Sequence, residues 1–468
     1  MRESGTAARK VISPNTGTEI ASWREDGPEA IARLIGKVDS ARTGLRKNPE
    51  LRKGILENCM AGIQSARDSL AETIVREVGK KPDEAKAEVE YALSFLAHCR
   101  RLLDEYEPEM DLANGHSVEN VGLGGALLIC PFNDPLAGIT RKIAPAVASG
   151  CPVIVKPSSL SILCAKAMFE AFRNQGVGDE IQMVATGSAQ TVACLLSHES
   201  IEVVSFTGST PVGLGLAAKC AKSGKKIVTE LGGNCPFVIS ASADLEAAAD
   251  DLLERKLKAA GQACSSVNRV FVDKRVYDRF RGELVERAES VDLAPSDSSP
   301  DLGPVRTRNA ANGLVELAAK AASTGERYLT GVPAPVERNQ PFLFPLTVME
   351  SGDASVFDKC ETFGPLLSIR PFSDEREFYS RFERERHALA AYFYTGEPEE
   401  MLRKLRGLRF GSIGVNSTKI QGADVPTGGF RDAGIGREGG IWGMREFQTT
   451  INWKIERPNR FGDNGKLN

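Results

Sequence analysis

No apolar run in the 468-residue chain approaches the roughly 20 residues needed to cross a bilayer, and Met1 to Lys10 lacks the apolar block of a signal peptide. A cytoplasmic protein is expected. Histidine is scarce, at four, and the ten cysteines fall without CxxC or finger-like spacing. That pattern excludes a zinc finger and a disulfide framework, and predicts reduced thiols and no metal site. Neither charge dominates: the net of −3 argues against nucleic acid or an acidic membrane as partner. No internal repeat occurs. The rest is an ordinary globular composition, 41% hydrophobic and 26% charged, in a chain too long for one compact core.

Through its middle the chain alternates strands and helices. Residues 125–130, 152–155, 201–206 and 227–231 read as strands, with helices at about 139–149, 161–174 and 210–223. Thr210 and Pro211 supply a cap and a first-turn proline for the last of these helices. The βαβα order predicts a parallel sheet covered by helices, with ligands gathering at the carboxyl ends of its strands. Helical patterns fill 28–45, 51–77 and 82–106. Beyond Gly233 the alternation restarts, and a second α/β domain is expected. In it a helix over 245–260, capped by Asp244, leads to a strand over 269–273, and 292–304 and 331–341 read as exposed loops.

Two places carry possible chemistry. Cys264 falls on the small-residue link Gly261-Gln262-Ala263-Cys264-Ser265-Ser266 between a helix and a strand, where a nucleophile can stand open. Glu230 lies 34 residues earlier (264 − 230) in Thr229-Glu230-Leu231-Gly232-Gly233-Asn234. A thiol that attacks a carbonyl and a carboxylate that activates water are the two halves of a covalent oxidation of aldehydes, although a lone cysteine is most often core filler. The GxGxxG fingerprint at a strand-to-helix turn is missing. In its place Phe206-Thr207-Gly208-Ser209-Thr210-Pro211-Val212-Gly213 ends a strand before a helix whose first amides can receive a pyrophosphate, and the same residues also suit a plain cap. Lys156-Pro157-Ser158-Ser159 follows another strand in the same position, so two strand ends offer polar groups on one rim.

Seven motifs in one order then resemble the aldehyde dehydrogenase superfamily over residues 12–455. They are Pro131-Phe132-Asn133, Lys156-Pro157-Ser158, Phe206-Thr207-Gly208-Ser209-Thr210, Glu230-Leu231-Gly232-Gly233, Gly261-Gln262-Ala263-Cys264, Glu361-Thr362-Phe363-Gly364-Pro365 and Gly434-Ile435-Gly436-Arg437-Glu438. The resemblance implies an α/β, aldehyde dehydrogenase-like fold. A Rossmann-type cofactor-binding domain would occupy 1–102 and 124–232, and an α/β catalytic domain 233–445. A small β oligomerisation arm would come from 103–123 and 446–468, which implies a homodimer or homotetramer. It also implies that Cys264 is the nucleophile and Glu230 the base that activates water, while the Asn133 amide and the Cys264 N–H hold the oxyanion. NADP or NAD would be held by Lys156, Ser158 and Ser159 at the adenosine ribose, Gly208, Ser209 and Gly213 at the phosphates, and Glu361 and Phe363 at the nicotinamide end.

Departures from the family pattern matter as much. Ser159 stands where many NAD-preferring members carry glutamate, so a 2′-phosphate meets no repulsion and NADP is tolerated. Phe132 replaces a commoner tryptophan, Ser266 takes the place of a second cysteine, and Phe430-Arg431-Asp432-Ala433-Gly434 replaces Lys-x-Ser-Gly without a functional reading. In pattern the chain is closest to the succinate-semialdehyde dehydrogenases. Arg141 follows Asn133 by eight positions, Lys258 precedes Cys264 by six, and Lys419 is a possible third cation. Those charges suit a short aldehyde with an anionic tail, such as succinate semialdehyde. A phosphonate aldehyde or a glyceraldehyde-3-phosphate type of substrate, and ordinary surface charge, stay open. A coenzyme-A-acylating relative has no need of Glu230, and a catalytically silent nucleotide-binding or structural protein has no need of Asn133, Glu230 and Cys264 together.

Overall fold

The computed structural model describes residues 8–106, 109–112 and 115–456, without the side chains of 375–377. The expectations placed on Met1 to Ala7 and on 457–468 of the arm lie outside the described residues.

Five short strands stack in parallel because each is an apolar run with helices available to cover both faces. In spatial order they are Lys226–Glu230, Ile201–Thr207, Gly125–Ile129, Val153–Lys156 and Ile181–Met183. The chain runs outward from Gly125–Ile129 on one side, then returns to Ile201–Thr207 on the other. The crevice of such a reversal opens beyond the carboxyl ends of those two strands. A sixth strand, Gly434–Ile435, arrives from far along the chain and pairs antiparallel with Thr229 and Glu230. The second sheet has seven strands, in the order Arg327–Tyr328, Thr347–Glu350, Leu366–Phe372, Val267–Asp273, Cys235–Ile239, Ala390–Tyr394 and Ser412–Val415. All run parallel except the first. A third, antiparallel sheet joins Glu109–Asp111, His116–Gly122 and Gln448–Lys454.

The helices Pro49–Ser65, Arg67–Val78 and Pro82–Glu105 pack on the helices Ala137–Ala148 and Ile162–Asn174, and their Leu56, Ile63, Ile74, Val89 and Leu96, all essentially inaccessible, join one core with a face of the first sheet. Each such side chain contributes about 1.5–3 kcal/mol. No helix of the described residues is long and apolar enough to cross a membrane.

Four local expectations need correction. The pattern over 51–77 is two helices, broken at Ala66, because periodicity is preserved across a change of direction and gives no sign of it. The helix expected over 245–260 ends at Leu257. Ala259 and Ala260 then take φ of 50° and 52°, held there by Ala259 N–H donating to Glu84 Oε1 at 3.1 Å and Gln262 Nε2 donating to the Ala259 carbonyl at 3.1 Å. Tertiary hydrogen bonds override alanine's helical preference. The cap position before the 210–222 helix is Ser209, while Thr210 Oγ1 donates to the Asp432 carbonyl at 3.0 Å. The 292–304 loop is not wholly exposed: Ser296 and Leu302 are fully buried, and Ser296 N–H donates to Asn15 Oδ1 at 2.8 Å.

Arg306, 3% exposed, fastens distant segments together. Its backbone N–H donates to Gln262 Oε1 at 2.9 Å, Nε to the Leu160 carbonyl at 2.7 Å and Nη1 to the Ile12 carbonyl at 3.0 Å. Arg306→Met orphans two carbonyls, so a loss of about 2 kcal/mol is expected. A lower midpoint in thermal unfolding checks it; an unchanged midpoint would show that water replaces the guanidinium at no cost.

Candidate active site

The strand ends around the crevice carry the chemistry-bearing residues named above. Glu230 is the last residue of its strand, and Asn133 sits on the link between Gly125–Ile129 and the Ala137–Ala148 helix. Cys264 sits on the link into Val267–Asp273 of the second sheet. The Asn133 link is clamped from outside. Lys80 Nζ binds Asp134 Oδ1 at 2.7 Å and Glu88 Oε2 at 2.5 Å, and Glu88 Oε1 accepts the Leu136 N–H at 2.9 Å. Against the cost of burial, Lys80 and then Arg141 hold the Asp134 carboxyl below its usual range.

Cys264 is partly buried. Burial pushes its thiol up to about 12, the Glu230 and Glu361 carboxylates add to that, and Arg141 opposes it. Its backbone N–H donates to nothing among the described residues. Glu230 is 3% exposed, and its Oε1 has no hydrogen-bond partner. Burial first, and then the carboxylate of Glu438, raise Glu230 to about 8 against the pull of Lys142, Arg141 and Arg437. Lys142, itself fully buried, is bonded to Glu438 and to Ser205 Oγ, the latter at 2.7 Å.

At the start of the 210–222 helix, packing within the protein requires glycine. A Cβ on Gly208 would stand 2.6 Å from the Phe206 ring, and one on Gly213 would stand 2.2 Å from Leu231 Cδ2. Ser209 makes no side-chain cap bond, so the first amides of the 210–222 helix are left for an outside acceptor. Lys156, at the end of Val153–Lys156, is partly buried, and burial lowers its ammonium. Ser158 Oγ accepts the Leu160 N–H at 3.2 Å. Ser159 lines a surface cavity of about 680 Å³ together with Lys10, Arg306 and Arg308. Glu361 accepts the Gly233 N–H, keeps Oε1 unpaired and is raised by burial to about 8. Phe363 has φ of 44°, and its ring meets Phe132 edge-on at 6.0 Å. The bare first amides of the 210–222 helix and the orphaned buried oxygen of Glu361 together fit an extended polar cofactor.

A cavity of about 340 Å³ lies beside the Cys264 link, lined by Tyr91, Arg255, Lys258, Ala263, Lys419 and Gln421 among others. Lys258 and Lys419, both exposed, therefore meet in one space. Arg141 is not on that wall. It stands behind Tyr91, with Nη2 donating to Tyr91 Oη at 3.2 Å and the guanidinium 5.0 Å from the centre of the Phe95 ring.

Residues 1–452 match the model of the aldehyde dehydrogenase family. The chain belongs to the aldehyde dehydrogenase family. It is 33% identical over 444 residues to the succinate-semialdehyde dehydrogenase [NADP(+)] of Escherichia coli, covering 93% of this chain and 92% of that protein. To the 3-sulfolactaldehyde dehydrogenase of Pseudomonas putida it is 31% identical, covering 93% and 91%. Among solved structures, an NADP-dependent enzyme of E. coli superposes with a TM-score of 0.91 at 31% identity, covering 96% of this chain and 94% of that one. The protein is an oxidoreductase, an aldehyde dehydrogenase that uses NAD or NADP, and the expected fold class holds.

The dehydrogenase also explains its own departure at 431–433. Asp432 takes Arg386 through two bonds, Nε at 2.5 Å and Nη2 at 2.8 Å, while Arg431 donates to the carbonyls of Glu385 at 2.7 Å and Glu383 at 3.0 Å. The Ala433 carbonyl accepts the Leu231 N–H at 3.0 Å. The segment therefore pins the residue after Glu230, and its side chains are tied to the Glu383-Arg384-Glu385-Arg386 run. The spacing Gly434-x-Gly436-x-x-Gly439 resembles a phosphate loop but lies on the antiparallel edge strand. Sequence reasoning missed Arg255, Gln421 and the fully buried Lys256. Lys256 Nζ lies 3.3 Å from Thr362 Oγ1 and 3.4 Å from Asn268 Oδ1, and burial lowers it to about 7. Only its place on the inward helix face, in register with Leu252, could have flagged it.

Lys80→Met leaves Glu88, 4% exposed, as a buried carboxylate without a counter-charge. A loss of about 3 kcal/mol is expected, read as a lower urea midpoint. An unaltered midpoint would mean that the clamp adds nothing to folding.

Proposed function

We propose that the enzyme oxidises a short aldehyde with an anionic tail to its acid, through a thioester on Cys264 that Glu230 opens with water. The observation that carries this reading is the buried Glu230 carboxylate at the strand end, whose Oε1 has no hydrogen-bond partner. It stands close enough to Cys264 to disfavour the thiolate, and it is raised into the range where a carboxyl both takes and gives protons near neutrality.

The proton on Cys264 Sγ passes to Glu230, and the thiolate adds to the aldehyde carbon. The new alkoxide is held by the Cys264 N–H and the Asn133 amide, each such donor worth about 3 kcal/mol. The bound dinucleotide supplies the hydride acceptor. Gly208, Ser209 and Gly213 would hold its phosphates, Lys156, Ser158 and Ser159 its adenosine ribose, and Glu361 with Phe363 its nicotinamide end. Ser159 adds no carboxylate beside that ribose, which supports NADP as well as NAD. Glu230, again ionised, then takes a proton from water as its oxygen adds to the thioester, and the Cys264 sulfur leaves.

Lys258 and Lys419, with Arg141 acting through Tyr91, support an anionic tail. The relatives named for succinate semialdehyde and 3-sulfolactaldehyde agree, since both names denote aldehydes with an acidic end. We assign the cofactor-binding domain to 1–102 and 124–232 and the catalytic domain to 233–445. The arm of 103–123 and 446–468 would join copies into a homodimer or homotetramer. The edge strand Gln448–Lys454 and the exposed Met110, Trp453 and Ile455 support that assignment.

Cys264→Ala is expected to abolish turnover and keep nucleotide binding, whereas Glu230→Gln gives one burst of reduced cofactor and then stalls. Steady turnover by Glu230→Gln at the parent rate would remove the base assignment. Because Glu230 is neutral below about 8 and a base above it, hydrolysis-limited turnover should rise with pH and level off beyond that value. Glu230→Gln should lose the rise.

For the substrate, Lys258→Met combined with Lys419→Met should raise KM for succinate semialdehyde about tenfold more than for butanal, or about 1.4 kcal/mol. Equal changes for the two aldehydes would refute the anionic-tail reading. A parallel measurement with 3-sulfolactaldehyde ranks carboxylate against sulfonate.

A further inference from the structure

Arg255 belongs to the last turn of the Leu245–Leu257 helix, and it reaches the segment of the nucleophile. Its Nε donates to the Ser265 carbonyl at 3.1 Å, and its Nη2 donates to Ser265 Oγ. Two further donors converge on the same serine. Tyr392 Oη reaches the carbonyl at 2.7 Å and Gln421 Nε2 the hydroxyl at 3.2 Å. The preceding carbonyl, that of Cys264, accepts Cys235 Sγ at 3.4 Å. Five hydrogen bonds from four elements of structure thus restrain the two residues that carry the nucleophile, while the Cys264 N–H is left without an acceptor. The peptide that carries the Cys264 N–H has its own carbonyl, that of Ala263, tied as well, by the Ser266 N–H at 2.9 Å, so that N–H keeps one direction.

Charge adds a second, independent argument. Arg255 forms no ion pair with a carboxylate among the described residues. The acids that act on it are the Tyr392 phenol and the thiols of Cys264 and Cys235, all neutral until one gives up its proton. A partly buried guanidinium bonded only to neutral oxygens has its desolvation incompletely offset. Around Cys264 the other ionisable groups are Glu230 and Glu361, which oppose a thiolate, Cys235, and Arg141, which favours one. When Cys264 Sγ loses its proton to the Glu230 carboxylate, Arg255 gains the counter-charge that it lacks in the resting protein.

We propose that Arg255 is a positioning residue for the nucleophile: its fork fixes the Ser265 peptide, and its charge is the counter-ion of the Cys264 thiolate. The proposal rests on Cys264 being the nucleophile, and it can be tested apart from that reading. The probe is iodoacetamide, with modification of the Cys264-containing peptide followed by mass spectrometry across pH in the full-length protein. Arg255→Gln keeps a donor and removes the charge. Its rate of Cys264 alkylation at a fixed, mildly alkaline pH should fall about tenfold, and kcat near neutral pH should fall about tenfold with KM and nucleotide binding nearly unchanged. Arg255→Lys, which keeps the charge and loses the fork, should restore the alkylation rate but only part of kcat. The same alkylation rate in Arg255→Gln and the parent overturns the counter-ion role, and full kcat in Arg255→Lys overturns the fork. Should Arg255→Gln fail to fold, Arg255→Lys against Arg255→Met carries the same comparison of rates. Persistent turnover by Cys264→Ala would instead bring down the nucleophile reading, whatever the alkylation shows.

Discussion

The arrangement depends on closing the first sheet beside Glu230. Its strand is paired on one side by Ile201–Thr207 and on the other by Gly434–Ile435, a strand supplied about 200 residues later. With both edges of the strand occupied, backbone satisfies backbone, and the Glu230 side chain is left at the strand end in an enclosed space. A Cβ on Gly434 would lie 2.2 Å from the Thr229 carbonyl, so the closure needs glycine at that point. The Arg431-Asp432-Ala433 segment and its bonds to 383–386 then bind this closure to the second sheet.

Electrostatics follow from that enclosure. Burial raises the Glu230 and Glu361 carboxyls, and the nearby Glu438 carboxylate adds to the rise at Glu230. The opposing cations are distributed, not paired one to one. Lys142 is committed to Glu438, Arg141 is stacked against Tyr91 and Phe95, and Arg255 is bonded to the segment of Cys264. Two carboxyls raised to about 8 and a thiol raised to about 12 describe a site that holds its protons at rest and is poised to move them. Only a polar ligand or a reaction step gives the unpaired oxygens of Glu230 and Glu361 something to bind.

Local pattern made much of the fold legible. The strands at 125–129, 201–207 and 226–230 and the helices between them lie within a residue or two of their apolar runs, since a strand buried on both faces is written as a short, continuous hydrophobic stretch. What failed was direction. The break at Ala66 and the left-handed turn at Ala259 and Ala260 occur in residues whose intrinsic preference is helical, and the second is held by Glu84, remote in sequence. The exposed reading of 292–304 failed for the same reason, because polar Ser296 is buried against Asn15 and Gly79.

The candidate site divides along that line. Residue type and position drew attention to Cys264 and Glu230, which stand on links at strand ends, while Asn133 and the dinucleotide contacts entered only through the resemblance to the aldehyde dehydrogenases. Tertiary structure decided which charges face whom. It set Lys258 and Lys419 on one cavity and Arg141 behind Tyr91, and it buried Lys256. Arg255 could be recognised only there, because its meaning lies in a hydrogen-bonded peptide ten residues away and in the absence of a carboxylate beside it. Charge has no periodicity along a chain, and its effect is settled by distance and burial, which exist only once the sheets have met.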